Sequence, residues 1–158
     1  MFTNAFARHA AGVVTVVAVL GTLAGPALAA GKPSGDLVPA GAHVLLFTSS
    51  GTGLVGTSTG GTISVTNPTV IGEVRDMING LPISDTRHRV CPDDMMIPSW
   101  VSFSTGKGAT PFTRVLFQLG GCPYARVYQD GVAISPTLGG ADLGVVYSRI
   151  KKIVDAAR

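Results

Sequence analysis

TISVTNPTVIGEVRDMINGLP, residues 62–82, changes its hydrophobic period partway along, and that change decides the fold class. From Thr62 to Thr66 apolar and polar residues alternate, which is the period of a half-buried strand. Asn67-Pro68 then supplies a helix N-cap followed by a first helical residue whose fixed φ suits that position. Beyond it Val70, Ile71, Val74, Met77, Ile78 and Leu81 recur at helical spacing. Gly80 and Pro82 stop the helix, and Met77, on its apolar face, is read as core and not as a ligand.

Reading outward, His43 to Thr48 (HVLLFT) forms a buried strand before this unit. Between the two strands, GTGLVGTSTGG at residues 51–61 holds a formal G-x-G-x-x-G. A dinucleotide fingerprint needs a helix opening on its last glycine, whereas here another strand follows, so the stretch reads as a long hairpin loop. After the helix, Trp100–Ser104 and Phe112–Leu119 are two strands joined by the turn TGKGATP, residues 105–111, and pair as an antiparallel hairpin. Ala125–Tyr128 is a further strand ending at the turn Gln129-Asp130-Gly131. A second helix closes the chain, with Leu143, Val146, Tyr147, Ile150, Ile153 and Val154 on one face and Arg149, Lys151 and Lys152 elsewhere on its surface. Strand pairs alternating with single helices give an α+β fold, an antiparallel sheet packed on one side by two helices.

The N-terminus sets the compartment. MFTNAFARHA carries one arginine and no acid, and the apolar run AGVVTVVAVLGTLAGPALA follows it. Small residues at Ala27 and Ala29 fit the signal-peptidase box, and Gly25-Pro26 ends the hydrophobic helix just before them. Residues 1–29 are therefore read as a secretory signal peptide. No cysteine lies near the box, which excludes a lipoprotein anchor. After cleavage residues 30–40, including KPSGDLVPA at 32–40, are a flexible N-terminal segment, and 41–158 form a single domain of ordinary size. The expected location is extracellular or in the cell envelope, with no membrane attachment once the signal is removed. Without Arg8 the chain holds 11 basic and 9 acidic residues, spread along its length. No basic stripe tracks a phosphate backbone, so nucleic acid is not an expected partner.

Only two cysteines occur, Cys91 and Cys122. In an oxidising compartment this favours a disulfide over metal ligation or nucleophilic catalysis. Cys91 belongs to RHRVCPDDMMIP, residues 87–98, the densest chemistry in a chain that is only 13% charged. His88, Asp93 and Asp94 are candidate metal ligands, but their spacing matches no known site once Cys91 is engaged. Arg87, Arg89, Asp93 and Asp94 are better read as solvated ion pairs. Adjacent aspartates point in different directions on a loop, which argues against paired glycosidase carboxylates. No G-x-S-x-G elbow is present, and only His43 and His88 survive signal cleavage, which argues against a serine triad. No catalytic residue, metal or cofactor is assigned.

In its pattern the chain resembles the subtilisin-inhibitor-like proteins that actinobacteria secrete. The HVLLFT strand, the TISVTNP strand entering a helix, Cys91-Pro92, Pro98, the hairpin strands and Cys122 carry the likeness, which covers residues 40–122. The resemblance implies a subtilisin-inhibitor-like sandwich in which a Cys91–Cys122 disulfide holds a reactive-site loop that opens with Cys-Pro and ends at Pro98. The family's first disulfide is missing here, the loop is one residue longer, and 36 residues follow Cys122. The position matching the family's scissile residue is Asp93, a poor fit to an apolar specificity pocket. The same order of elements also resembles exported actinobacterial proteins of no assigned activity.

Together these readings lead to a secreted, non-enzymatic protein-binding module acting through loop 91–98, with Pro92, Asp93, Asp94, Met95, Met96 and Pro98 as binding residues. An extracellular serine protease is the most concrete partner. Met95 and Met96 are its apolar anchors because the strand periodicity starts only at Trp100 and leaves them outside the core pattern. The alternatives are an envelope protein with a structural or interaction role and, behind it, a small hydrolase or metal-dependent enzyme around His88, Asp93 and Asp94.

Overall fold

The computed structural model describes residues 35–49, 60–84, 98–140 and 142–158. Among them, six antiparallel strands form one sheet and two helices accompany it. The strands are β1 (Val44–Ser49), β2 (Thr62–Val65), β3 (Pro98–Ser104), β4 (Thr113–Gln118), β5 (Tyr124–Gln129) and β6 (Val132–Ala133); the helices are α1 (Pro68–Asn79) and α2 (Leu143–Ala156). The sheet order is β2-β1-β3-β4-β5-β6. Every neighbouring pair is antiparallel, including β1 and β3, which are not consecutive in the chain.

Local chemistry accounts for the element ends. The Asn67 side-chain oxygen accepts a hydrogen bond from the Thr69 N–H at 3.0 Å, with Pro68 as the first helical residue. This satisfies one of the donors that a helix start leaves unpaired. At the other end of α1 the Gly80 N–H donates to the Asp76 carbonyl at 2.9 Å. A Cβ at Gly80 would come within 3.2 Å of that same oxygen, a tight contact that favours glycine at the stop. Between β5 and β6, Asp130 and Gly131 both have positive φ, 49° and 80°. That is the backbone of a tight two-residue hairpin turn. The Asp-Gly pair thus does more than end a strand; it folds the chain back into β6, a strand too short to leave a periodic signal.

The register divides the side chains into two layers. Leu45, Phe47, Ile63, Val65, Val101, Phe103, Val115, Phe117, Ala125 and Val127 share one face. This face meets Ile71, Val74 and Ile78 of α1 and Leu143, Ile150 and Val154 of α2 in a single core. Tyr147 of α2 seats its ring 5.9 Å from Phe47 and 5.6 Å from Phe117. Its hydroxyl lies 2.9 Å from the Ser99 hydroxyl, so the polar end of this half-buried ring is satisfied. The outer surfaces of the helices carry charge pairs: Arg149 to Glu73 joins α2 to α1 at 3.1 Å, and Lys151 to Asp155 spans one turn of α2 at 2.6 Å. The Lys151 hydrogen bond holds the Asp155 carboxyl below its usual range.

One segment differs from its sequence reading. In residues 30–40, read as a flexible leader, Leu37 and Val38 are buried and belong to the core. Asn79, the last residue of α1, accepts from the Val38 N–H at 2.8 Å and donates to the Val38 carbonyl at 3.1 Å. The packed body therefore begins before residue 41. Two apolar residues among Pro, Gly and Ser show no period, so their burial depends on a partner 41 residues away.

Candidate functional site

Of the binding-loop residues expected from the sequence, Pro98 is within the described residues; Pro92, Asp93, Asp94, Met95 and Met96 lie outside them, as do Cys91 and His88. The sheet holds the downstream end of this stretch. Pro98 opens β3, one of the two central strands, and pairs across the sheet with Gln118 at the end of β4. Gln118 pairs in turn with Tyr124 at the start of β5. Cys122 sits in the turn between those two strands, where Gly121 adopts a positive φ of 57°. Pro98 and Cys122 are therefore at the same end of the sheet. No free cysteine occurs among the described residues.

The chain that follows α1 is held at the β5 edge. Beyond α1, the Gly139 N–H donates to the Pro82 carbonyl at 2.8 Å and the Ser84 N–H donates to the Thr137 carbonyl at 2.9 Å. Between these bonds, Ile83 bridges Leu138, and Leu138 bridges Ala125 of β5 through reciprocal hydrogen bonds of 2.8 and 2.9 Å. The chain leaving α1 is thus tied through Leu138 to the start of β5, one residue from the pair Gln118–Tyr124. Pro98 and Cys122 thus lie at one end of the sheet, and the chain leaving α1 runs along its β5 edge, paired through Leu138. Backbone hydrogen bonds between extended segments make this frame stiff, because each buried N–H and C=O needs its partner.

Sequence reasoning missed the Leu138 bridge. Its only signals were Pro136 and Gly139-Gly140 flanking a two-residue Thr-Leu step, too short for any period. It also gave no role to the outer face of the sheet, where Trp100, Arg114, Arg126 and Tyr128 stand at alternate positions of β3, β4 and β5. That alternation was legible in W-V-S-F-S and T-R-V-L-F-Q, but which of its two faces the helices cover was not.

Two grooves lie among the described residues. One of about 270 Å³ lies where α1 ends and α2 begins, between Met77, Leu81, Pro82, Leu143 and Val146, and is apolar. Met77 packs against the core, as its helical spacing implied. The second, about 470 Å³, runs over the outer sheet face beside Leu46, Ser102 and Arg114 to the Asp130-Gly131 turn. Among the described residues, no three His, Cys, Asp or Glu side chains come together as a metal site, and none of the helices is long and apolar enough to cross a membrane. Comparison with known proteins finds no match for this chain among protein-family models, curated proteins or solved structures.

Proposed function

We propose that the protein is a secreted, non-enzymatic protein-binding module that presents residues 91–98 from a rigid frame, in the manner of a subtilisin-inhibitor-like protein with a Cys91–Cys122 disulfide. The observation that carries this reading is that Pro98 and Cys122 stand at the same end of the sheet, on either side of the Gln118–Tyr124 pair. A segment whose ends are fixed loses less entropy on docking, so more of its contact energy appears as affinity. A disulfide closing about 31 residues adds about 3–4 kcal/mol to the fold in the chain-entropy picture and ties the segment to the β4–β5 turn. The fixed φ of Pro92 and Pro98 acts in the same direction. Met95 and Met96 are the apolar anchors, and Asp93 and Asp94 form a polar rim.

The test is a titration of the purified exported protein against subtilisin-like, trypsin-like and chymotrypsin-like serine proteases. Stoichiometric loss of protease activity is expected, together with an intact mass two hydrogens below that of the reduced protein. Met95→Ala and Met96→Ala should weaken inhibition while leaving stability within about 0.5 kcal/mol, as at exposed sites. A loss of 2–5 kcal/mol in either variant would place that methionine in the core instead. Full protease activity across the panel would exclude inhibition, and free thiols on both cysteines would remove the tether.

A further inference from the structure

The face of the sheet turned away from the helices carries the second concentration of chemistry in the molecule. Trp100 of β3, Arg114 and Leu116 of β4, and Tyr124, Arg126 and Tyr128 of β5 share it by register. The Arg114 guanidinium lies over the Trp100 ring, 4.4 Å from its centroid. Trp100 in turn meets the Tyr128 ring at 5.7 Å, tilted by 55°. The Arg126 guanidinium sits 5.8 Å from the Tyr124 centroid and donates to the Thr137 hydroxyl at 3.2 Å. Among the described residues, neither arginine has a carboxylate partner. No described helix packs on this face; its aromatic rings are half-buried and Arg114 is exposed.

We propose that this face docks an acidic segment of a partner protein, with Arg114 and Arg126 receiving its carboxylates. Trp, Tyr and Arg are the residues that dominate binding energy in protein interfaces, and no lysine stands among them here. A guanidinium resting on a ring keeps its donor fork while its side chain is already ordered, so a carboxylate binds it at a smaller entropic cost. The groove beyond Arg114 supplies room for a chain, and Asp130 at its far end is the one acidic residue lining it. Unpaired positive charge on the face calls for negative charge on the occupant. Stacked bases or sugar rings suit it less, because guanidinium groups already lie over the rings of Trp100 and Tyr124 on which they would stack. A second copy placed face to face would set arginines against arginines. The proposal is independent of the reading of residues 91–98.

The probe is a fluorescein-labelled deca-glutamate peptide, followed by anisotropy at low salt and by the fluorescence of Trp100, the only tryptophan in the chain. Saturable binding with a change in Trp100 emission is expected, together with no binding of deca-glutamine and weakening as salt rises. Arg114→Gln with Arg126→Gln should weaken binding by tenfold or more at an unchanged melting temperature, and Arg114→Lys should recover only part of the loss because it lacks the fork. The proposal is overturned by deca-glutamate that does not saturate the protein at millimolar concentration, or that binds no better than deca-glutamine. Tighter binding of a deca-thymidylate or a hyaluronan oligosaccharide would overturn it in favour of those polymers. A dimer in sedimentation that the arginine variants disperse would assign the face to self-association.

Discussion

The two faces of the one sheet are built from the same strands, yet they solve opposite problems. On the inner face Phe47, Phe103, Phe117, Val101, Val115 and Val127 are at most 1% exposed and meet two helices. On the outer face Trp100, Leu116, Arg126 and Tyr128 keep part of their surface in solvent. Burial makes the inner face sensitive to volume, because a removed methylene leaves a cavity that close-packed neighbours cannot fill. The outer face is buried at Val44, Ser102, Ser104 and Gln118, but its aromatic centre stays partly exposed and is held by ring and guanidinium contacts within the same layer. An unchanged alternation of residues thus yields one surface specialised for stability and one left available for contact.

Cutting one large side chain from each face separates their roles. Phe103→Ala should cost about 3–5 kcal/mol, the range for a fully buried phenylalanine. Leu116→Ala should cost about 1 kcal/mol or less, as at partly exposed sites. Chemical denaturation of both variants checks this, and equal losses would mean that the outer face is also a packed core. A smaller effect sits where the leader docks onto the inner layer. Asn79→Ala removes both hydrogen bonds to Val38 and leaves a buried N–H and C=O unpaired, for about 1–3 kcal/mol. Amide exchange at Val38 should accelerate in that variant, separating release of the leader from general destabilisation.

Thr113 faces Phe103 across the β3–β4 pair, is fully buried, and its hydroxyl finds no hydrogen-bond partner among the described residues. Thr113→Val keeps the shape and removes an unsatisfied polar atom, so stability should rise by up to about 1 kcal/mol. A drop in melting temperature would show that the hydroxyl is satisfied in solution and that the inner face is less dry than its burial implies.

Sequence and structure agree where the signal is local. The α1 boundaries follow from Asn67-Pro68 at one end and Gly80 at the other, because capping and backbone sterics act over a few residues. The β3–β4 hairpin follows from two short alternating runs about one turn apart, although β3 begins two residues earlier than its periodicity, at Pro98. Pro98 is also the expected end of the proposed binding segment. The stiffness of the frame was not legible, since it rests on Leu138 pairing with both Ile83 and Ala125. Asp130-Gly131 was readable as a turn, but β6 beyond it gains its identity only by pairing with Tyr128 and Gln129.

By itself, then, the sequence determined the α+β class, the capped helix between strands, and the two hairpin turns, all effects of periodicity and turn chemistry confined to neighbouring residues. Tertiary structure alone decided three things: that β1 lies beside β3, that Leu37 and Val38 belong to the core, and which face of each strand is covered. The physical reason is common to all three. On β3 both Trp100 and Phe103 are apolar enough for burial, and alternation separates them without ranking them. The choice falls to the layer that α1 and α2 can fill, with Tyr147 wedged between Phe47 and Phe117, and that leaves Trp100 and its arginine facing water.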